Sequence, residues 1–326
     1  MDQNPGSCVP ADQNIWILYE VSSLQQAMNK AKISDLLEAN NVIKELQTSP
    51  KRGLTYKPGL DWYGSIICVV GDSSFGNEEE WIDEWQEFEP HRSQGGKILA
   101  LSEAQLADGE PGLFHVLSFG STVVRRVCRS TVQAEAYNLD LCVEEADLLR
   151  AAIIDLRGQL DRRDWEASAA SQMHSHWFTD CKSLSDALQR PVLAAIADKR
   201  LGITLAAMRQ SLWRKPGGGL AQPMLMERRP ENTTDSISWI DTSVMPCDCL
   251  TKKMKPDFLC SVLDTNIFDP RQTEDAKAQK ANRQRQRKKT ALPPIAMISS
   301  APDDGSSDPD DSDVENLSTR ETDTDA

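Results

Sequence analysis

The sequence predicts a mixed α/β domain, a five-stranded sheet flanked by helices, followed by a polar C-terminal tail. Three observations carry this. From Ser130 to Leu156, apolar residues fall at 132, 136, 139, 143, 146, 149, 153 and 156. Those steps of three and four draw one apolar stripe along a long helix. Ser65 to Asp72 is a β-branched run that reads as a buried strand. The element order is three strands, a helix, a strand, helices, a strand and a helix, which is not strictly alternating and so points to a mixed sheet.

Residues 1 to 15 are polar and show no periodicity. Ser34 to Thr48 reads as a helix with Leu36, Leu37, Ala39, Ile43 and Leu46 on one side, ended by Pro50 and Gly53. After the first strand, residues 77 to 90 are acidic and Trp-containing, and read as a surface insertion. Gly96 to Leu101 and Leu113 to Phe119 are the next two strands, with Val123 to Val127 a candidate continuation of their hairpin. Ser130 or Thr131 can cap the long helix, a hydroxyl accepting from free N–H groups. A polar stretch from Arg157 to Ser175 precedes the fourth strand, His176 to Asp180. Ser183 to Gln189 is a short helix stopped by Pro191, and Val192 to Trp213 is a further helical stretch. Pro216 to Thr234 reads as a loop, Ser236 to Ile240 as the fifth strand, and Asp248 to Lys255 as the opening of a last helix.

The net charge of −14 over 326 residues is unevenly placed. Residues 301 to 326 hold ten Asp or Glu against one Arg, whereas Lys277 to Lys289 holds seven Lys or Arg and no acid. Beyond Arg271 the chain cannot bury enough apolar surface to offset chain entropy, so disorder is expected there. The basic run suits nucleic acid or a nuclear address. Eight cysteines without paired spacings, no apolar leader and no apolar run near 20 residues point to a reduced, intracellular chain in cytoplasm or nucleus, with no membrane span.

Four acids occupy special places. Asp72 ends the first strand, Glu135 lies in the first turns of the long helix, Asp180 ends the fourth strand, and Asp248 starts the last helix. Strand ends and helix starts can converge on one sheet edge. Four carboxylates meeting there would repel one another unless a cation neutralised them. Hard oxygen donors suit Mg²⁺ or Mn²⁺, and two such ions about 4 Å apart can clamp a phosphodiester under hydrolysis. Read singly, each is equally an ordinary surface acid.

The wording around these acids resembles the ribonuclease H domain of copia-type LTR retrotransposon polyproteins. Family members read SDADWAG, RRSTSGY, STTEAEY, YCDNQSA and LADILTK in that order. This chain offers Gly71-Asp72-Ser73-Ser74-Phe75-Gly76, then His91-Arg92-Ser93-Gln94-Gly95-Gly96, then Ser130-Thr131-Val132-Gln133-Ala134-Glu135-Ala136-Tyr137. Phe178-Thr179-Asp180-Cys181-Lys182-Ser183 and Cys247-Asp248-Cys249-Leu250-Thr251-Lys252 complete the set. The blocks cover Leu60 to Leu259. Asp35 to Asn40 through Gly53 to Tyr56 is similar to the family's link from reverse transcriptase.

The resemblance implies a ribonuclease H-like fold over 61–270, a remnant of the reverse transcriptase connection over 1–60, and a basic then acidic tail over 271–326. It implies that Asp72, Glu135, Asp180 and Asp248 bind two Mg²⁺ ions, with Mn²⁺ a substitute, and cut the RNA strand of an RNA–DNA hybrid. Its implied partners are that hybrid or other nucleic acid, and other parts of a retrotransposon polyprotein. The departures are Ser74 for a second Asp, Phe75 for Trp, insertions at 77 to 90 and 161 to 175, and only Asp198 to Ile203 where a basic-aromatic segment is usual. No Tyr-x-Asp-Asp motif is present, so the chain carries no polymerase site. The second reading is a catalytically inactive, retrotransposon-derived module that binds nucleic acid or protein.

Remaining signals divide similarly. Arg125, Arg126 and Arg129, and Lys182 two residues past Asp180, can contact a phosphate backbone or form a solvated face. Cys247, Cys249 and Cys260 would need His174 and His176 to complete a zinc site; small buried residues at a helix start explain them more simply. The two histidines read as surface loop residues before the fourth strand.

Overall fold

A computed structural model of the chain describes residues 14–28, 31–48, 53–76, 92–191, 196–215 and 233–271. The readings placed on 1–13, the insertion at 77–90, 192–195, the loop at 216–232 and the basic and acidic runs of the tail lie outside these residues.

Among the described residues the architecture is mixed α/β, but the sheet has six strands rather than five. Strands β1 (Ile66–Ser74), β2 (Ser93–Ser102) and β3 (Gly112–Val124) form an antiparallel meander. Strands β4 (Ser175–Thr179) and β5 (Asp235–Trp239) add in parallel on the β1 side, giving the order β5-β4-β1-β2-β3-β6. The sixth strand, β6 (Ile267–Phe268), pairs with Gly112 and Leu113. Two residues are too few to show a period, so nothing in its composition marks it. Val123 and Val124 continue β3, pairing with Gln94 and Ser93.

Every residue of β1 is buried. Its continuous apolar run, without alternation, reflects cover on both faces. One face carries α3 (Thr131–Leu156), α4 (Trp165–Gln172), α5 (Lys182–Gln189) and α6 (Lys199–Leu212). The stripe of α3 that buries Ala136, Leu139, Val143, Ala146 and Ile153 is the one its spacing drew. Ser130 caps it, accepting from Gln133 N at 3.2 Å. The other face carries α1 (Leu18–Ala27), α2 (Ile33–Thr48), α7 (Asp248–Thr251) and α8 (Asp257–Thr265).

Several local readings need correction. A helical turn at Ile15–Ile17 begins at the last residue of the stretch read as polar, with Ile15, Trp16 and Ile17 buried, and α1 follows it in residues to which the sequence reading assigns no element. Helix α2 forms where expected, and Leu46 of its predicted apolar side packs on the core beside Val42, but Leu36, Leu37 and Ile43 do not. Val42 is 8% exposed, whereas Leu36, Leu37 and Ile43 are 63%, 59% and 51% exposed. The polar stretch 157–175 contains α4, which buries Ala169 and Ala170. The final helix is two helices. His176 is a buried strand residue set edge-on against Phe178, not a loop residue; His174 and His176 both lie 2.6 Å from Ser236 Oγ.

Two glycines of β2 let the layers close. A Cβ on Gly95 would fall 2.2 Å from Asn138 Oδ1 of α3, and one on Gly96 would fall 2.9 Å from Leu250 Cβ and Thr251 Cγ2 of α7. The bare backbone therefore admits one helix on each side at the same place, beside the Asp72 to Gly96 pairing.

Candidate metal centre

Strand β1 delivers Asp72 near its carboxyl end, with Ser73 and Ser74 still paired beyond it. Asp180 follows the last residue of the parallel neighbour β4, and Cys181 then leads into α5. Asp248 is the first residue of α7, which sits over β2 through Gly96. One carboxylate oxygen from each of Asp72, Asp180 and Asp248 can be chosen so that all lie within 4.8 Å of one another. Asp72 and Asp248 are buried, while Asp180 is half-buried and opens toward solvent.

Glu135 approaches from the other face of the sheet. It is 3% exposed, and its Oε1 accepts a hydrogen bond from Ser73 N at 3.2 Å. One turn on, Asn138 Nδ2 donates to the carbonyls of Asp72 (2.8 Å) and Gly96 (2.9 Å), fixing α3 against the β1–β2 pair. The backbone at Asp72 is thereby held from α3 while its side chain is held from α7.

The other partners of the acids are short and specific. Thr251 Oγ1 donates to Asp72 Oδ2 at 2.6 Å, and Thr242 Oγ1 donates to Asp180 Oδ2 at 2.8 Å. Trp239 Nε1 donates to the Asp180 carbonyl at 2.9 Å. Lys252 Nζ forms an ion pair with Asp248 Oδ1 at 2.6 Å.

The electrostatics follow from this crowding. Burial, then the neighbouring Asp180 and Asp248 charges, push Asp72 up to about 7, against the opposing pull of the Thr251 hydroxyl and Lys252. Burial and the charges of Asp72 and Asp180 raise Glu135 well above the usual carboxylate range, opposed by the Ser73 amide. Asp248 is raised by burial, with Lys252 pulling the other way. Lys252 is opposed by its own burial, yet Asp248 holds its pKa above the ordinary lysine value. Like carboxylates packed this closely favour protons, or cations, over mutual ionisation.

The donor set fits a hard divalent cation. It is all carboxylate oxygen, and Asp180 leaves one side open. The adjacent thiols do not join it: Cys247 Sγ points at the Val70 carbonyl and Cys249 Sγ at the Pro246 carbonyl. Burial pushes both thiols up, Cys249 to about 12.

The basic candidates divide. Arg125 and Arg126 line one cavity, with Arg126 stacked 4.8 Å over the Tyr137 ring. At Arg129 the backbone N–H donates to Gln133 Oε1. Lys182 Nζ lies 3.7 Å from Asp186 and 5.7 Å over the Trp239 ring. Thr242, Thr251 and Lys252 join the acids only in the folded chain, although Thr251 and Lys252 stand in the Cys247–Lys252 block.

No family model matches the chain, and no curated protein matches it. Among solved structures, the crystal structure of native prototype foamy virus protease–reverse transcriptase is similar at 9% identity and a TM-score of 0.32. The match covers 66% of this chain and 22% of that one, so the chain spans about a fifth of the length of its structural neighbour. Among the described residues no helix is long and apolar enough to cross a membrane.

Proposed function

We propose that this chain is a metal-dependent phosphodiester hydrolase with a ribonuclease H-like fold, acting on the RNA strand of RNA–DNA hybrids and derived from a retrotransposon polyprotein. The observation that carries the reading is the convergence of Asp72, Asp180 and Asp248 within 4.8 Å, from three separate elements. The ordered block resemblance supplies the reaction class.

In this reading Asp72, Glu135, Asp180 and Asp248 hold two Mg²⁺ ions, or Mn²⁺ in their place. Bound there, the ions supply charge neutralisation at the phosphoryl oxygens and a water made acidic enough to attack. The chain's own contribution is to hold the carboxylates. Asn138 and Ser73 fix Glu135 relative to the Asp72 backbone, and Thr251 orients the Asp72 carboxyl. Thr242 orients Asp180 on the exposed side, where a phosphate can enter. Burial and crowding raise Asp72 and Glu135 toward their protonated forms, and both would have to be ionised to hold a cation.

One observation favours the second reading, an inactive binding module. Lys252 already neutralises Asp248, and Thr251 already occupies an Asp72 oxygen. The test is cleavage of a labelled RNA–DNA hybrid by the purified full chain in Mg²⁺ or Mn²⁺, beside Asp180→Asn. RNA-strand cutting that the substitution abolishes supports the hydrolase. A folded protein that cuts in neither metal supports the binding module.

A further inference from the structure

We infer that Lys252 is a built-in cation of the acid cluster, which makes the two cation positions unequal: one is open, and the other is freed only when the Lys252 ammonium leaves Asp248. This rests on the two-ion reading proposed above and names how that site is regulated. Lys252 Nζ lies 2.6 Å from Asp248 Oδ1. The Asp72 and Asp180 charges act on the same ammonium, so it serves all three clustered acids. Charge balance then separates the two positions. Three ionised carboxylates beside one ammonium leave two negative charges, which a single divalent ion neutralises. Two divalent ions match four ionised acids, with Glu135 as the fourth and no ammonium among them. Glu135 is not one of the three acids within 4.8 Å, and it accepts from the Ser73 amide instead. The folded chain is preset for one ion.

The contact can open from one side only. Asp248 begins α7, its side chain is 9% exposed, and α7 packs so closely on Gly96 that a methyl there finds no room. Ser121 Oγ also ties α7 down, donating to the Leu250 carbonyl at 2.5 Å. Lys252 stands past the end of α7 on extended backbone, with its side chain 39% exposed. Its unbranched stem can carry the ammonium out to water while the backbone stays in place. The acid is fixed and the cation is movable. An ion pair with one solvated member is weak enough for a divalent charge to replace it.

The test counts Mn²⁺ bound to the full chain from the EPR signal of the free ion, with no nucleic acid present. Wild type should take one ion and then a second about tenfold more weakly, the effect of one partly screened charge contact. Lys252→Met keeps the stem and drops the charge, so the second step should tighten by about that factor while the first moves less. Lys252→Arg keeps the charge and should keep two unequal steps. Lys253→Met makes the same charge change on the next residue, which pairs with Glu38, and should leave both steps alone. In Mg²⁺, the NMR signal of isotopically dimethylated Lys252, assigned by its loss in the methionine variant, should move with the second step. Two equal steps in wild type, equal tightening of both steps in Lys252→Met, or a Lys252 signal that follows the first ion would overturn the inference. Hybrid cleavage across the same Mn²⁺ series separates the two readings. Lys252-dependent steps without cutting keep the inference and remove the hydrolase, whereas cutting with equal, Lys252-independent steps does the reverse. A folded wild type that binds no Mn²⁺ removes both.

Discussion

Replacing Asp72 with Asn should stabilise the metal-free protein at alkaline pH and leave it nearly unchanged in acid. Asp72 has an ordinary pKa of 3.8, raised to about 7 in the fold by burial and by Asp180 and Asp248. Below about pH 4 the group is protonated folded and unfolded alike, and ionisation brings no penalty. As pH rises, the unfolded carboxyl ionises first, so stability falls until the folded group also ionises near pH 7. From pH 5 to pH 7 this spans two pH units at about 1.4 kcal/mol each, on the order of 3 kcal/mol in the coupled site. Asparagine cannot ionise, yet its carbonyl can still accept from Thr251. Urea unfolding in EDTA at pH 5 and pH 8 should therefore show wild type losing roughly that stability against Asp72→Asn. Adding Mg²⁺ at pH 8 should restore wild type and leave the variant unmoved. Equal stability of the two proteins at both pH values would show that Asp72 is neither crowded nor desolvated as described.

Three further outcomes follow from the same contacts. Thr251→Val removes the hydroxyl that lowers Asp72, so the metal-free stability loss should start at the same pH, extend to higher pH and grow larger in the same urea series. Gly96→Ala pushes a methyl into Leu250 and Thr251, and overpacking of this kind costs about 1–3 kcal/mol; thermal unfolding would register it. Arg150→Ala removes the guanidinium that is 1% exposed and lies 2.6 Å from the fully buried Asp235. Breaking one half of such a pair costs about 3–5 kcal/mol, and the urea midpoint should fall accordingly.

What was legible in the sequence is what repeats over many residues. Helix α3 shows seven apolar steps in register, and β1 shows an unbroken β-branched run, so both stand where their patterns put them. Helix α1 carries a short stripe, Leu18, Val21 and Leu24, that is only partly buried against the core, and the fully apolar anchors Ile15 to Ile17 belong to the turn before it. Helix α2 was legible as a helix but not in orientation. Leu46 faces the core with Val42 while Leu36 and Leu37 do not, and tertiary packing chooses between the two sides. At the site, strand ends and a helix start single out Asp72, Asp180 and Asp248, the three acids that come together, and block order adds Glu135. Thr242, Thr251 and Lys252 are not singled out, because a hydroxyl or ammonium becomes an acid's partner only once α7 and the 242 turn have docked.

That docking has a kinetic consequence. The Thr251–Asp72 hydrogen bond joins residues 179 apart, and β1 meets β4 only after the meander and α3 have been made. Contacts of such long sequence separation form late, since loop closure must precede any gain from them. A chain emerging from the ribosome at about 5–20 residues per second has its first three strands and α3 in hand well before Asp248 appears. Such a chain should collapse around β1 and α3 without an assembled acid cluster. Competence at the acids would then arrive as the closing event of folding, and an unfinished chain would carry none of it.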